Sequence, residues 1–256
     1  MKSTDFITAA VVTYNNLEQA RVACRSLKEH TEKYPLKLTV IDNASSDGTA
    51  EYFSADSKIC FTENGSNIGF GAAHNKALSM GVGKYHFVIN PDIEINSDVL
   101  SALADFMENN PDIVMAMPKI LNSDGSEQFT PKEKPTFKRL YLGRLSGLCG
   151  SFKKIRDSYT WADREIKTVT DIDFCSGCFF CIRGEIFEKL GGFDERFFMY
   201  LEDADLTLRA KEFGRAVINP DICVTHMWRR ESADSLKYLF IHICSSFKFL
   251  HKWRKR

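Results

Sequence analysis

Residues 6–30 read FITAAVVTYNNLEQARVACRSLKEH, and this stretch decides the fold. Phe6–Thr13 is a short apolar run rich in β-branched residues, which predicts a buried strand. Tyr14-Asn15-Asn16 breaks it with polar side chains. From Leu17 to His30 the apolar period changes, with Leu17, Ala20, Ala23, Cys24 and Leu27 on one side of a helix. A buried strand, a polar turn and an amphipathic helix form half of a βαβ unit.

Working outward, the same unit recurs. Leu38–Ile41 predicts a second strand ending at Asp42-Asn43. Ser45-Ser46-Asp47-Gly48-Thr49 supplies turn and capping chemistry for a short helix through Phe53. Ile59–Thr62 predicts a third strand, Gly69–Met80 a helix entered through glycines, and Tyr85–Ile89 a fourth strand running into Asn90-Pro91-Asp92. Asp98–Asn109 reads as a helix and Ile113–Met117 as a strand. The order implies a mostly parallel, doubly wound α/β sheet, whose ligands bind beyond the carboxyl ends of the strands. Three polar sets, Thr13–Asn16, Asp42–Asn43 and Asn90–Asp92, directly follow strands and should converge on one crevice.

The second half is less regular. Residues 122–168 show no clear period. Thr170–Ile182 reads as one long buried strand, Gly184–Leu190 as a helix stopped by Gly191-Gly192, and Val217–Ile218 and Cys223–His226 as short strands. Between them lies FFMYLEDADLTLR, Phe197–Arg209, where Glu202, Asp203 and Asp205 sit among apolar and aromatic residues. Burying carboxylates is costly unless they are paired or hydrogen-bonded, so at least one of these acids should face a cleft. The alternative is an acid cluster complementing the dipole of a helix from Glu202 to about Phe213. Both can hold. Ser232–Arg256 reads as an amphipathic helix with Leu236, Leu239, Phe240, Ile243, Phe247 and Leu250 in one stripe and a basic end, KFLHKWRKR. The division expected is a domain over 1–231 and a helix over 232–256. That helix either packs on the domain or lies on an anionic membrane surface.

Bulk composition narrows the function classes. The 256 residues are 44% hydrophobic and 27% charged, with 34 basic and 34 acidic side chains, which excludes nucleic-acid binding over the whole surface. No secretory pattern opens the chain and no apolar run approaches a membrane span, so a cytoplasmic location is expected. The eight cysteines read as small buried hydrophobes. Cys175, Cys178 and Cys181 have C-x2-C-x2-C spacing, but a strand would send residues three apart to opposite faces, which disfavours a cluster. No G-x-x-x-x-G-K-[ST] and no G-x-G-x-x-G after the first strand is present, which excludes a P-loop and disfavours a dinucleotide fold. Asp92, closing INPD, suits a hard divalent cation or a plain turn. Asp42 could accept hydrogen bonds from a base or ribose, or make only an Asx turn.

Taken together, VVTYNN, VIDNASSDGT, NIGFGAAHNKAL, INPD, SGCFFCIRGEIF, GGFDERFFMYLEDADLTLR and VTH follow the order of family 2 glycosyltransferases, over roughly residues 6–228. The chain resembles the bacterial rhamnosyltransferases of O-antigen and cell-wall polysaccharide assembly. The resemblance implies the GT-A fold and an inverting, Mg²⁺- or Mn²⁺-dependent transfer from a dTDP- or UDP-sugar. The first choice is dTDP-rhamnose, and the acceptor is a glycan carried on a polyprenyl diphosphate. It implies that Thr13, Tyr14 and Asn15 line the nucleotide pocket, that Asp42 binds the base, and that Asn67, Gly69 and Asn75 lie near the donor. Asn90 and Asp92 stand for the family's DxD motif, with Asn in place of the first Asp. Asp203 corresponds to the catalytic base, with Glu202 beside it, and His226 to a histidine that completes the metal site. The alternatives are a UDP-hexose-dependent enzyme of the same fold and a non-catalytic nucleotide-sugar binding module. A nucleotidyltransferase would need a basic, Gly-rich triphosphate loop near the first strand, which is absent.

Overall fold

The computed structural model describes residues 6–145, 147, 149–227 and 236–254. The first half follows the expected alternation. Strands β1 (Ile7–Thr13), β2 (Leu36–Asp42), β3 (Cys60–Glu63) and β4 (Tyr85–Ile89) alternate with helices α1 (Leu17–His30), α2 (Thr49–Ser54) and α3 (Phe70–Ser79). Each helix returns the chain to the same edge, so β1 pairs in parallel with β2 and β4, and β2 in parallel with β3. The chain moves outward from β1 to β3 and then crosses back to β4 on the other side of β1. That reversal opens a crevice at the carboxyl ends of β1 and β4.

Beyond β4 the sheet is mixed. It gains β5 (Ile93–Glu94), β6 (Ile113–Leu121), β7 (Thr170–Asp171), β8 (Phe179–Arg183) and β9 (Arg215–His226), in the order β3-β2-β1-β4-β8-β6-β9-β5, with β7 on β9. β8 lies antiparallel between β4 and β6, whereas β6 and β9 are parallel. The expected single strand over Thr170–Ile182 is therefore two strands. Between them Cys175–Cys178 leaves the extended path, and Gly177 N there donates to Asp203 Oδ2. Val217–Ile218 and Cys223–His226 belong to one strand, β9, kinked by a register shift opposite Pro118 and Lys119.

Helices α4 (Val99–Glu108), α6 (Gly184–Leu190) and α7 (Glu202–Ala210) cover the sheet. The unperiodic stretch 122–168 contains a π-helical turn at Lys138–Leu142, a 3₁₀ turn at Gly143–Leu145 and helix α5 (Gly150–Tyr159). α5 buries none of its residues, so no apolar stripe marked it.

Helix α8 (Leu236–Trp253) corrects the reading of the C-terminal segment. Of the apolar stripe, only Leu250 packs against the core beneath α8. Leu236, Leu239, Phe240 and Phe247 are exposed, while Ser245, Ser246, Phe249 and Trp253 are buried. Phe249 and Trp253 join Phe174, Phe197, Leu201 and Ala204 in a second core beside the main one. The indole Nε1 of Trp253 donates to Asp205 Oδ1 at 2.8 Å, and Lys252 Nζ lies 2.6 Å from the same oxygen. Asp205 thus acts in packing: the fully buried carboxylate also accepts from Arg209 Nε at 2.8 Å. Residues 232–235 and 255–256 of the expected helix lie outside the described residues. No helix among the described residues is long and apolar enough to cross a membrane. The cysteines are all free. Cys24, Cys175, Cys178 and Cys181 are buried, but Cys60 and Cys149 are exposed, contrary to the buried reading.

Candidate active site

The polar residues after β1, β2 and β4 meet where the sheet reverses. Thr13, Tyr14, Asn67, Gly69, Asn90 and Asp92 line one crevice of about 430 Å³. Asn43, Phe198, Met199 and Tyr238 of α8 complete its wall. Asn15 lines an adjoining cavity of about 560 Å³ that shares Asp92. Asp42 and Asn75 line neither. Asp42 is fully buried, and its carboxylate accepts from Ser45 N at 2.9 Å and Ser45 Oγ at 2.5 Å. The Asn75 amide ties α3 to the loop after α6: Phe193 N donates to Oδ1 at 2.8 Å, and Nδ2 donates to Phe193 O at 3.0 Å.

The loops are mutually braced. Asn15 takes a left-handed φ of 54°, and its Oδ1 accepts from Ser46 N at 2.8 Å. Asp47 reaches across to accept from Leu17 N at 2.8 Å, capping α1 from another loop because Asn16 is engaged with Thr13 and Tyr14. Gly69 has φ 92°, and a Cβ there would lie 2.2 Å from Phe198 O. Only glycine allows this approach, which the bond from Phe70 N to Phe198 O (2.9 Å) requires.

Asp92 and His226 converge from β5 and the end of β9, because Ile93 pairs with His226 across the sheet. His226 Nε2 lies 3.1 Å from Asp92 Oδ1, and Nδ1 lies 2.9 Å from Gln128 Oε1. Gln128 Nε2 donates to Asn122 Oδ1 at 2.7 Å and His226 O at 3.1 Å, so its Oε1 is the atom turned to the imidazole. An amide oxygen can only accept, so Nδ1 carries hydrogen. In the neutral imidazole the Nε2 lone pair then faces a carboxylate. A hydrogen-bonded imidazole and a carboxylate meeting in this way are the donor set of a divalent-cation site, with Gln128 orienting the imidazole from behind. The fit is to a two-ligand site completed by substrate oxygens. Among the described residues no group of three or more His, Cys, Asp or Glu side chains converges.

Glu202 and Asp203 open α7, preceded by Tyr200 and Leu201 at φ 71° and 68°. Two consecutive non-glycine residues in the left-handed region store strain, each of order 1–2 kcal/mol. They turn the chain so that both acids line a third cavity, of about 330 Å³. Asp203 is half-buried. Its Oδ2 accepts from Gly177 N and its Oδ1 from Ala204 N, both at 2.9 Å. Burial raises its pKa, while the Lys132 charge and those N–H groups pull it down; the net shift is upward. Glu202 is only 5% exposed, and its Oε2 has no hydrogen-bond partner. Burial, then the Asp203 charge, pushes it well above the usual carboxylate range. Both carboxyls are thus shifted upward, Glu202 the further of the two, because Asp203 has Lys132 and N–H donors acting against its burial.

The turn between β7 and β8 joins the two ends of the site. Gly177 N holds Asp203, and Cys178 O accepts from Asn90 N at 2.8 Å. Asn43 lies in the crevice as its place after β2 predicts, whereas Gly177, Gln128 and Lys132 are not marked as site residues by the sequence. Only Gly177 left a signal, as a glycine interrupting an otherwise apolar strand pattern.

The profile of the glycosyl transferase family 2 domain matches residues 8–191. Over 264 aligned residues the chain is 28% identical to N-acetylglucosaminyl-diphospho-decaprenol L-rhamnosyltransferase of Mycobacterium tuberculosis, covering 96% of this chain and 84% of that protein. It is 25% identical to rhamnosyltransferase WbbL of Escherichia coli, covering 75% and 73%. Among solved structures, GalNAc-T7 with UDP, GalNAc and Mn²⁺ superposes at a TM-score of 0.71 with 15% identity, over all of this chain and 49% of that one. Staphylococcus aureus TarS 1–349 in complex with UDP-GlcNAc does so at 0.62 with 17% identity, over 92% and 64%. With the profile spanning most of the chain and the reversed sheet carrying its polar loops at one edge, the protein belongs to glycosyltransferase family 2 and is a sugar transferase of the GT-A fold.

Proposed function

We propose that the protein transfers a sugar, with rhamnose from dTDP-rhamnose as first choice, to a hydroxyl of a glycan carried on a polyprenyl diphosphate, with inversion at the anomeric carbon. One observation carries the reading: a half-buried Asp203, held by two N–H groups beside the buried Glu202, lines a cavity near the donor crevice. The acceptor hydroxyl oxygen attacks the anomeric carbon as its proton passes to Asp203. The bond from that carbon to the diphosphate oxygen breaks, and the nucleoside diphosphate leaves with the electron pair. Thr13, Tyr14, Asn67 and Asn90 line the donor's side of the reaction. Asp92 and His226 would hold Mg²⁺ or Mn²⁺. That ion, when bound, supplies positive charge to the departing diphosphate.

Two rhamnosyltransferase relatives support the rhamnosyl donor, and the diphospho-decaprenol in one relative's name supports the acceptor class. Mn²⁺ with GalNAc-T7 supports a divalent cation. UDP-GlcNAc with TarS supports a UDP-hexose as the second choice. The protein works at the cytoplasmic face of the membrane, with the exposed Leu236, Leu239, Phe240 and Phe247 of α8 against lipid and Lys237 and Lys248 beside them. Incubation with dTDP-rhamnose, UDP-GlcNAc and UDP-glucose, each with a prenyl-diphosphate-linked GlcNAc acceptor, tests the donor. Transfer from dTDP-rhamnose alone supports the first choice. Transfer from none of the three, with the metal present, overturns the reading.

A further inference from the structure

The cavity at Asp203 has a second wall of opposite charge. Lys132, Arg139 and Arg156 line it together with Tyr159, Glu202 and Asp203. Arg139 is neutralised by Glu133 and anchored on Lys134 O at 2.9 Å. Lys132 lies over the Phe174 ring at 4.6 Å, close enough to Asp203 to lower its pKa. Arg156, on α5, is half-exposed and has its own neighbour Asp157 at 2.9 Å. Against these cations stand Asp203, held by two N–H donors, and Glu202, both lining the cavity.

The second observation is Glu202 itself. Its Oε2 is buried without a partner in the wall of this cavity, although a buried polar atom left unpaired is costly. A ligand oxygen is the partner that such a carboxyl fits.

The third is the flank. The turn that carries Arg139 and Leu140 also carries Phe137 and Tyr141. Phe137 is 61% exposed and its ring lies 4.8 Å from Tyr141. Tyr141 in turn lies 6.4 Å from Phe247 of α8, which is 60% exposed. An anion pocket thus opens beside an exposed aromatic ledge that continues onto the apolar stripe of α8. The shape suits an amphiphile with an anionic head and an apolar tail.

We propose that this cavity is the head-group site of the acceptor: Lys132 and Arg156 take a diphosphate, Asp203 and Glu202 face the sugar attached to it, and the prenyl chain leaves over Phe137, Tyr141 and Phe247. The assignment of the sugar rests on the glycosyltransferase reading above; that of the diphosphate does not. Stretch 122–168 thereby acquires a role, since it supplies every cation of the site. The same diphosphate chemistry could come from the leaving nucleotide, so the test separates the two sources.

Titration calorimetry with farnesyl diphosphate, in EDTA so that no cation at Asp92 contributes, reads the site directly. Binding of dTDP is measured first and dTDP is then kept saturating. Farnesyl diphosphate should still bind, and Lys132→Ala and Arg156→Ala should each weaken it about tenfold or more. Lys132→Arg should restore most of the loss, and farnesol should bind at least tenfold more weakly than farnesyl diphosphate. Displacement of farnesyl diphosphate by dTDP would assign the diphosphate to the nucleotide and overturn the proposal. So would variants that bind like the wild type, or farnesol that binds as tightly. If dTDP does not bind in EDTA, its binding is measured again with Mg²⁺; failure there too sinks the donor reading, while the farnesyl diphosphate comparison is run without dTDP and keeps its meaning. Melting curves show whether Lys132→Ala folds; should it not, Arg156→Ala on the surface helix decides.

Discussion

At the scale of single residues, the site separates two neighbouring acids by environment. Asp203 has two N–H donors and the Lys132 charge acting against its burial, whereas burial and the Asp203 charge push Glu202 well above the usual carboxylate range. Asp203→Asn should lower turnover by roughly 10²–10⁴ while donor affinity changes within a few-fold, measured by steady-state kinetics and dTDP titration. Because Asp203 must be ionised to accept a proton and its pKa is raised, kcat/KM should fall on the acid side at a pH above the ordinary aspartate value. Linkage has a definite sign for Glu202. Its folded pKa lies above its unfolded one, so its contribution to stability is present in acid and is lost as pH rises towards the folded value. Melting curves of Glu202→Gln should therefore lack a destabilising slope that the wild type shows above pH ~4.5. In the proposed metal site Gln128 would act through His226. Gln128→Ala should weaken Mn²⁺ binding about 10–100-fold, read by calorimetry or by the Mn²⁺ concentration that restores EDTA-treated enzyme. Unchanged Mn²⁺ affinity would remove Gln128 from that role.

At the scale of elements, the site depends on close backbone approaches. Gly69→Ala adds a Cβ 2.2 Å from Phe198 O on a residue with φ 92°. It should cost about 2–3 kcal/mol in denaturant unfolding and open the crevice wall. Helix α8 buries one face and exposes another. Trp253→Ala deletes a buried ring and its bond to Asp205, and should destabilise by about 3–5 kcal/mol. Phe240→Asp, on a residue 67% exposed, should leave the melting temperature within a few degrees and reduce sedimentation with anionic vesicles. If Phe240→Asp binds vesicles like the wild type, the stripe does not face lipid. Removing 248–256 would take out Phe249 and Trp253, so that truncation reports on folding before it reports on membranes.

At the scale of the whole molecule, the strand-and-helix alternation to β4 and the polar residues at the ends of β1, β2 and β4 were determined by the sequence alone. Hydrophobic period and turn chemistry are local, and they act within a dozen residues. Asp203 and Glu202 could be singled out for the same reason: acids inside an apolar run are anomalous wherever the run folds. Tertiary structure alone decided which acids do what. Asp205 looks like its neighbours in sequence, but Arg209, Lys252 and Trp253 enclose it from three directions. The antiparallel entry of β8, the break at Gly177 and the cations of 132–156 also depended on contacts between segments far apart in the chain. The sequence left open whether the stripe of α8 packs or lies outward, because an apolar stripe is buried only where a complementary surface exists. Here Phe174, Phe197 and Leu201 meet Phe249 and Trp253, with Leu250 at their margin, and Leu236, Leu239, Phe240 and Phe247 are left exposed.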